Sequence, residues 1–385
     1  MQDSDIRSYL KIRIFDRDQD ETENQPAGIL EYVEDLIRGL NADIGRKDFF
    51  EVAPKKYAMS ALDRHNSIIE EKMQYNYLFG PVPSRRLGIS LGVDLVPMKT
   101  CTLDCIYCEC GKTSRLTLER KEFVSVDAVK KELIHYLAHH ARPDYITFSG
   151  SGEPTLHINI GDVIHFIKNQ APDIPVAVLT NGTLFSQKQV RKDLIDAAVV
   201  IPSLDAATEK TFNKINRPCS LLRLDGIIGG LVQFRKEYSG KIWVEIFIIP
   251  GLNDSDHELG ALKQAIKKIK PDQIHLNTLD RPGTVSTLRP ASREELERVL
   301  EIFQMETAVI VADPPEHEAL FAYRKDPASA ILGTIARRPC TLKDLSEILG
   351  LPMDEVKTYL ASLETDGTIK SVKQKRGVFY RLSSQ

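Results

Sequence analysis

The chain has 385 residues, 42% hydrophobic and 27% charged, with 51 Lys+Arg against 54 Asp+Glu and a formal net charge of −3. That balance excludes a generally basic nucleic-acid coat, and no apolar run approaches the ~18 residues needed to span a bilayer. The opening MQDSDIRSYLKIRIFDRDQDE lacks a cationic segment followed by an apolar core, so it does not read as a secretory signal, and a cytoplasmic protein with no membrane contact is expected.

Residues 1–75 read as an N-terminal helical and polar extension. An acidic stretch, DRDQDETEN, precedes apolar residues at three-to-four spacing from Ile29 to Leu40, and no catalytic constellation accompanies them.

From 76 to 312, short β-branched runs alternate with amphipathic segments. Strands are expected at 89–96, 145–148, 176–179, 199–201, 243–249 and 273–276, with a seventh at 308–311. Helices are expected at 126–138, 161–168, 188–197, 222–237, 257–269 and 293–303. Strand and helix alternating this often imply an α/β fold of parallel strands with right-handed crossovers. If the sheet curls into a barrel, chemistry belongs at the C-terminal ends of its strands.

Residues 326–385 read as a helix at 328–336, two helices at 342–349 and 354–363 split by Gly350-Leu351-Pro352, and a hairpin around Gly377. This is the order of a winged-helix domain. Nine Lys+Arg face six Asp+Glu over 327–385, with Lys370, Lys373, Lys375 and Arg376 near the wing, which leaves nucleic-acid binding open. Asp354 and Glu355 open the recognition helix and favour protein or peptide docking instead.

Six cysteines are too few for a disulfide scaffold, and four of them fall within 101–110, which points to metal. Cys101, Cys105 and Cys108 form a CxxxCxxC run just after the first barrel strand. Three thiolates on one loop can each ligate one iron of a cubane and leave the fourth iron open. The alternative is a zinc site that also uses Cys110.

Polar strand ends follow. The run Ser149-Gly150-Ser151-Gly152-Glu153-Pro154 lets backbone approach a ligand closely. Thr180-Asn181-Gly182 and Ser203-Leu204-Asp205 place short polar side chains at the same rim. Asp205 has a second reading, as the cap of a helix starting near Thr208. Arg217 suits a carboxylate by bidentate pairing. Arg85 and Arg86, beside the first strand, are candidates for an anionic substrate group.

The cysteine run resembles the signature of the radical SAM superfamily, and Gly152, Glu153 and Pro154 resemble its glycine-glycine-glutamate-proline motif, with Ser151 in place of the first glycine. Phe79-Gly80-Pro81-Val82-Pro83-Ser84-Arg85-Arg86-Leu87-Gly88 and Leu91-Gly92-Val93-Asp94 are similar to the branch related to the tRNA wyosine-base synthases. The resemblance covers 76–312 and implies a partial (β/α)6-type TIM barrel, the radical SAM core, between the extension and the winged helix. It also implies a 4Fe–4S cluster on Cys101, Cys105 and Cys108. S-adenosyl-L-methionine is expected on Tyr107, Gly152, Glu153, Pro154, Thr180, Asn181, Ser203, Asp205 and Arg217.

The implied activity is reductive cleavage of that cofactor to a 5′-deoxyadenosyl radical, which abstracts hydrogen from a substrate drawn from tRNA, peptide or small molecules. Catalytic residues proper are not identified. A low-potential donor such as flavodoxin or ferredoxin is the expected partner. The C-terminal domain holds none of the strand-end motifs and is expected to be dispensable for cofactor cleavage. Residues 1–100 contain no cysteine, whereas archaeal wyosine-base synthases carry a second cluster there, so that product is not expected. A competing reading is a redox-responsive winged-helix regulator that binds nucleic acid and carries an iron–sulfur cluster.

Overall fold

The computed structural model describes residues 75–312, 327–374 and 376–383. The N-terminal extension, apart from its last residue, and Lys375 of the wing lie outside them.

The main body is a mixed α/β structure built on one eight-stranded sheet. Strands β1 (Leu78–Ser84) and β2 (Gly88–Val93) form an antiparallel pair. From β2 onward the order is β2, β5 (Tyr145–Phe148), β6 (Val176–Thr180), β7 (Val199–Pro202), β8 (Lys241–Phe247), β9 (Gln273–Asn277) and β10 (Ala308–Ile310), all parallel. Two short strands, β3 (Thr100–Cys101) and β4 (Arg115–Leu116), pair outside it. The crossovers run through α1 (Val126–His139), α2 (Ile160–Gln170), α3 (Lys188–Asp193), α4 (Glu209–Ile215), α5 (Leu224–Glu237), α6 (Asp256–Ile269) and α7 (Arg293–Phe303). All seven expected parallel strands are present. The antiparallel β1 was not read as a strand, because its two prolines suit only an edge.

Alternation along the strands explains the two faces of the sheet. Val176 and Val178 join the large core under the helices, while Ala177 and Leu179 face a smaller cluster with Leu87, Val199, Ile201 and Trp243. Val93, Phe148, Val178 and Val200 lie in register across four strands, all fully buried. Each such side chain contributes roughly 1.5–3 kcal/mol. Glu132 of α1, also buried, accepts the backbone N–H groups of Asn76, Tyr77 and Leu78 and so fixes the start of β1.

The C-terminal part comprises α8 (Pro327–Arg337), β11 (Cys340–Thr341), α9 (Leu342–Leu349), α10 (Met353–Thr365), β12 (Ile369–Gln374) and β13 (Gly377–Leu382), with strand order β11-β13-β12. Thr341 and Asp344 form a capping box at the start of α9, and Gly350 closes it at φ 63°. Its core, centred on Ile331, Ile335, Leu345, Val356 and Leu360, also takes in Val82 of β1, so the module packs onto the edge of the large sheet. Among the described residues no helix is long and apolar enough to cross a membrane.

Candidate active site

The cysteine loop leaves β3 at the C-terminal rim of the sheet and is stitched down on both sides. Asp104 N and Ile106 N donate to Asn216 O and Ile215 O, while Thr284 Oγ1 and Val285 N donate to Ile106 O. Within it, every thiol of the expected triad accepts an N–H from a different side chain. Asn181 Nδ2 reaches Cys101 Sγ at 3.4 Å, Asn216 Nδ2 reaches Cys105 Sγ at 3.4 Å, and Lys99 Nζ reaches Cys108 Sγ at 3.0 Å.

The three sulfurs do not titrate alike. Burial, with the Glu153 carboxylate nearby, pushes Cys101 up to about 12, and burial likewise raises Cys105. Cys108 is held down at about 6 by the hydrogen bond of the Cys110 thiol, helped by Lys99 against the effect of burial. A single zinc ion needs its sulfurs around one point. Among the described residues no three His, Cys, Asp or Glu side chains converge in that way. One thiolate on each of three irons has no such requirement.

Behind the loop, Glu153 ties two strand ends together. It is 2% exposed, and its carboxylate accepts from Thr155 N, Thr155 Oγ1, Thr180 Oγ1 and Asn181 N, while burial raises its pKa. Gly152 lies against Thr100, where a Cβ would stand 2.1 Å from the carbonyl oxygen, and Pro154 opens a buried 3-10 turn. Gly150, at φ 136°, leaves room for Asp94, which receives Ser151 N and Ser151 Oγ on Oδ2. Asp94 Oδ1 is buried and has no hydrogen-bond partner. Such an acceptor suits an incoming cation.

On the other flank, Tyr107 stacks on Phe247 with ring centroids 4.1 Å apart and donates its hydroxyl to Asp205. Asp205 also accepts from Asn216 Nδ2 and Phe247 N, and burial pushes it up to about 6. It caps no helix, since Thr208 performs that role for α4. Tyr107, Asn181, Ser203 and Asp205 share a cavity of about 20 Å³ with Asn216. Asn253 is fully buried and donates to Asp205 O and Phe247 O, so it is structural.

Arg217 stands apart from that group. It lines a second cavity of about 190 Å³ with Glu109, Lys112 and Arg381, between the cysteine loop, the segment after β9 and the C-terminal module. Arg85 and Arg86 are committed internally. Arg85 donates to Asn277 Oδ1 and to the carbonyls of Val311 and Ala312, while Arg86 pairs with Glu245 inside the sheet. Sequence reasoning missed Lys99, Asn216 and Asp94. Asp94 ends a motif that the resemblance had marked, and Asn216 precedes Arg217, but nothing in the pattern around Lys99 distinguished it from a solvated lysine.

The Radical SAM superfamily profile matches residues 95–262. The chain is 34% identical over 317 residues to a protein named GTPase Obg from Brachyspira hyodysenteriae, covering 82% of this chain but 46% of that protein. It is 36% identical over 227 residues to a UPF0026 protein from Methanocaldococcus jannaschii, covering 58% of this chain and 70% of that one. Among solved structures, a radical SAM methyltransferase from Sphaerobacter thermophilus aligns with a TM-score of 0.45 at 16% identity, over 57% of this chain and 66% of that one. The superfamily works with a 4Fe–4S cluster and S-adenosylmethionine and draws on a reductant. The chain belongs to the UPF0026 family and is a radical SAM enzyme.

Proposed function

We propose that Cys101, Cys105 and Cys108 ligate the 4Fe–4S cluster, that the neighbouring strand ends hold S-adenosylmethionine, and that the enzyme abstracts hydrogen from an anionic substrate. The observation that supports this most is the set of three N–H donors, one for each triad sulfur, where Cys110 instead points its thiol at Cys108 and Gly150 O. Together the bound cluster and cofactor supply one-electron cleavage of a C–S bond and a 5′-deoxyadenosyl radical.

The chain's own residues bind and orient. Asp94 Oδ1, with Ser151 and Gly152 beside it, would take the cofactor's ammonium. Glu153 and Pro154 hold that turn in place, and Glu153 in turn fixes Thr180 and Asn181. Tyr107, Ser203 and Asp205 would take the adenosyl part. Their cavity holds about one water molecule as it stands, so binding requires these side chains to separate. Arg217, with Lys112 and Arg381, faces the larger cavity and suits an anionic group of the substrate. A low-potential donor such as flavodoxin or ferredoxin would supply the electron.

The C-terminal module is read as a winged helix at 326–385. Its third helix, α10, opens with Met353 and Asp354, both exposed, which fits protein docking better than phosphate contact. A purely regulatory protein has no need of the strand-end residues gathered around the loop.

Anaerobic reconstitution and reduction, followed by mass analysis for 5′-deoxyadenosine with tRNA, peptide and small-molecule pools, tests the reading. About four irons per chain are expected, and about eight with formation of the wyosine base would overturn the single-cluster assignment.

A further inference from the structure

Four non-glycine residues among those described have positive φ. Lys270 and Gln304 cap the C-termini of α6 and α7, where the left-handed conformation is routine. Of the other two, Lys99 leads into the cysteine loop, and Arg217 meets that loop from a distant part of the chain, its carbonyl oxygen accepting from Asp104 N. At Lys99, φ is 59°, a left-handed conformation that is sterically unfavourable for a residue with a Cβ. The surrounding backbone holds it there. Lys99 N donates to Ser151 O at 2.8 Å, and Lys99 O accepts from Ser114 N and Arg115 N.

The result of that conformation is a buried ammonium. Lys99 is 6% exposed, and among the described residues no carboxylate lies within ion-pair distance of it. A buried cation without a partner is strongly unfavourable. Its partner here is sulfur, Cys108 Sγ at 3.0 Å. Asn181 and Asn216 give Cys101 and Cys105 neutral donors at longer range, so Cys108 alone of the triad receives a charged one.

We propose that Lys99 is a positioning residue for the cluster, which its ammonium orients and whose reduction potential it raises through Cys108. Hydrogen bonds to cluster sulfurs and nearby positive charge favour the more reduced, more negative state. Because Lys99 is itself buried, its charge acts at a lowered effective dielectric, so it outweighs either asparagine. The strain at φ 59° is the local cost of aiming a lysine inward from the segment that leads into β3. This inference rests on Cys108 being a cluster ligand.

The test is a potentiometric titration of the reconstituted full-length protein, followed by electron paramagnetic resonance, with iron content measured in parallel. Lys99→Met is expected to keep its iron and to shift the midpoint to a more negative potential, so that a smaller fraction is reduced at fixed dithionite potential. Lys99→Arg should restore most of the shift, and Asn216→Ala should move it less. An unchanged midpoint in an iron-loaded Lys99→Met overturns the inference. If Lys99→Met fails to load, Lys99→Arg and Lys99→Gln decide: the arginine variant should titrate at the higher potential, and equal midpoints overturn the proposal. A wild-type protein that takes up no iron overturns instead the cluster assignment beneath it.

Discussion

Arg281, on the segment after β9, donates to Asp344 of α9 at 2.9 Å while only 8% exposed, and the same guanidinium lies 3.7 Å from Glu109 of the cysteine loop. Against burial, which raises it, Arg281 and Arg376 hold the Asp344 carboxyl down at about 2. One arginine thus links the C-terminal module to the loop that bears the thiols. Arg281→Ala leaves Asp344 with Arg376 as its one remaining guanidinium, beside the Thr341 N–H, and is expected to cost about 2–3 kcal/mol. Thiol labelling with peptide mapping checks it: Cys340, fully buried, should become reactive in the variant well before global unfolding.

The same contact changes the expectation for a chain cut after Pro315. The strand-end motifs are all in the barrel, which argued for a dispensable C-terminal domain. Removing the module, however, uncovers Val82 and strands the buried Arg281 without its main partner. The truncated chain should melt at lower temperature and hold less iron per chain than the full-length protein. Equal iron and equal melting would restore the earlier expectation.

His275, 2% exposed on β9, is kept near 4 by burial, with Arg86 acting in the same direction and Glu245 against it. The unfolded chain takes up this proton near pH 6.5, whereas the folded one does so only near 4. Stability is therefore full above about 6.5 and falls as pH drops toward 4, by about 3 kcal/mol. Urea titrations at pH 7, 5.5 and 4.5 should show that slope, and His275→Gln should flatten it.

Glu153→Gln keeps the shape of the side chain but turns one oxygen into an NH₂ that must face a donor. Either Asn181 N or the Thr155–Thr180 group then loses its acceptor, at about 1–3 kcal/mol. Because Asn181 also donates to Cys101, looser cofactor binding should accompany the lower stability. Equilibrium dialysis with S-adenosylmethionine reads the first effect and chemical denaturation the second. Unchanged values of both would remove Glu153 from its place as the tie between β5 and β6.

Periodicity and cysteine spacing were enough to place the seven parallel strands and the loop that follows the first of them. The edge strand β1 escaped because Pro81 and Pro83 read against any strand, and α4 was marked only by its cap. The site was legible where chemistry is local. Cys101, Cys105 and Cys108 lie within eight residues, and Glu153 stands within a recognisable turn. It was not legible where the fold brings distant residues together. Asn216 reaches Cys105 across 111 positions, and the inward aim of Lys99 depends on a φ value that no pattern records. Arg85 and Arg86 misled for the same reason, since Glu245 and Asn277, their partners, are some 160 to 190 residues away.

The cluster assignment depends most directly on which sulfurs hold iron. Single replacements of Cys101, Cys105, Cys108 and Cys110 by alanine, each reconstituted anaerobically and assayed for iron per chain, separate the possibilities. Loss of the cluster in the first three, with about four irons retained in Cys110→Ala, is the expected result. Retention in Cys108→Ala with loss in Cys110→Ala would contradict the triad and the role of Lys99 together.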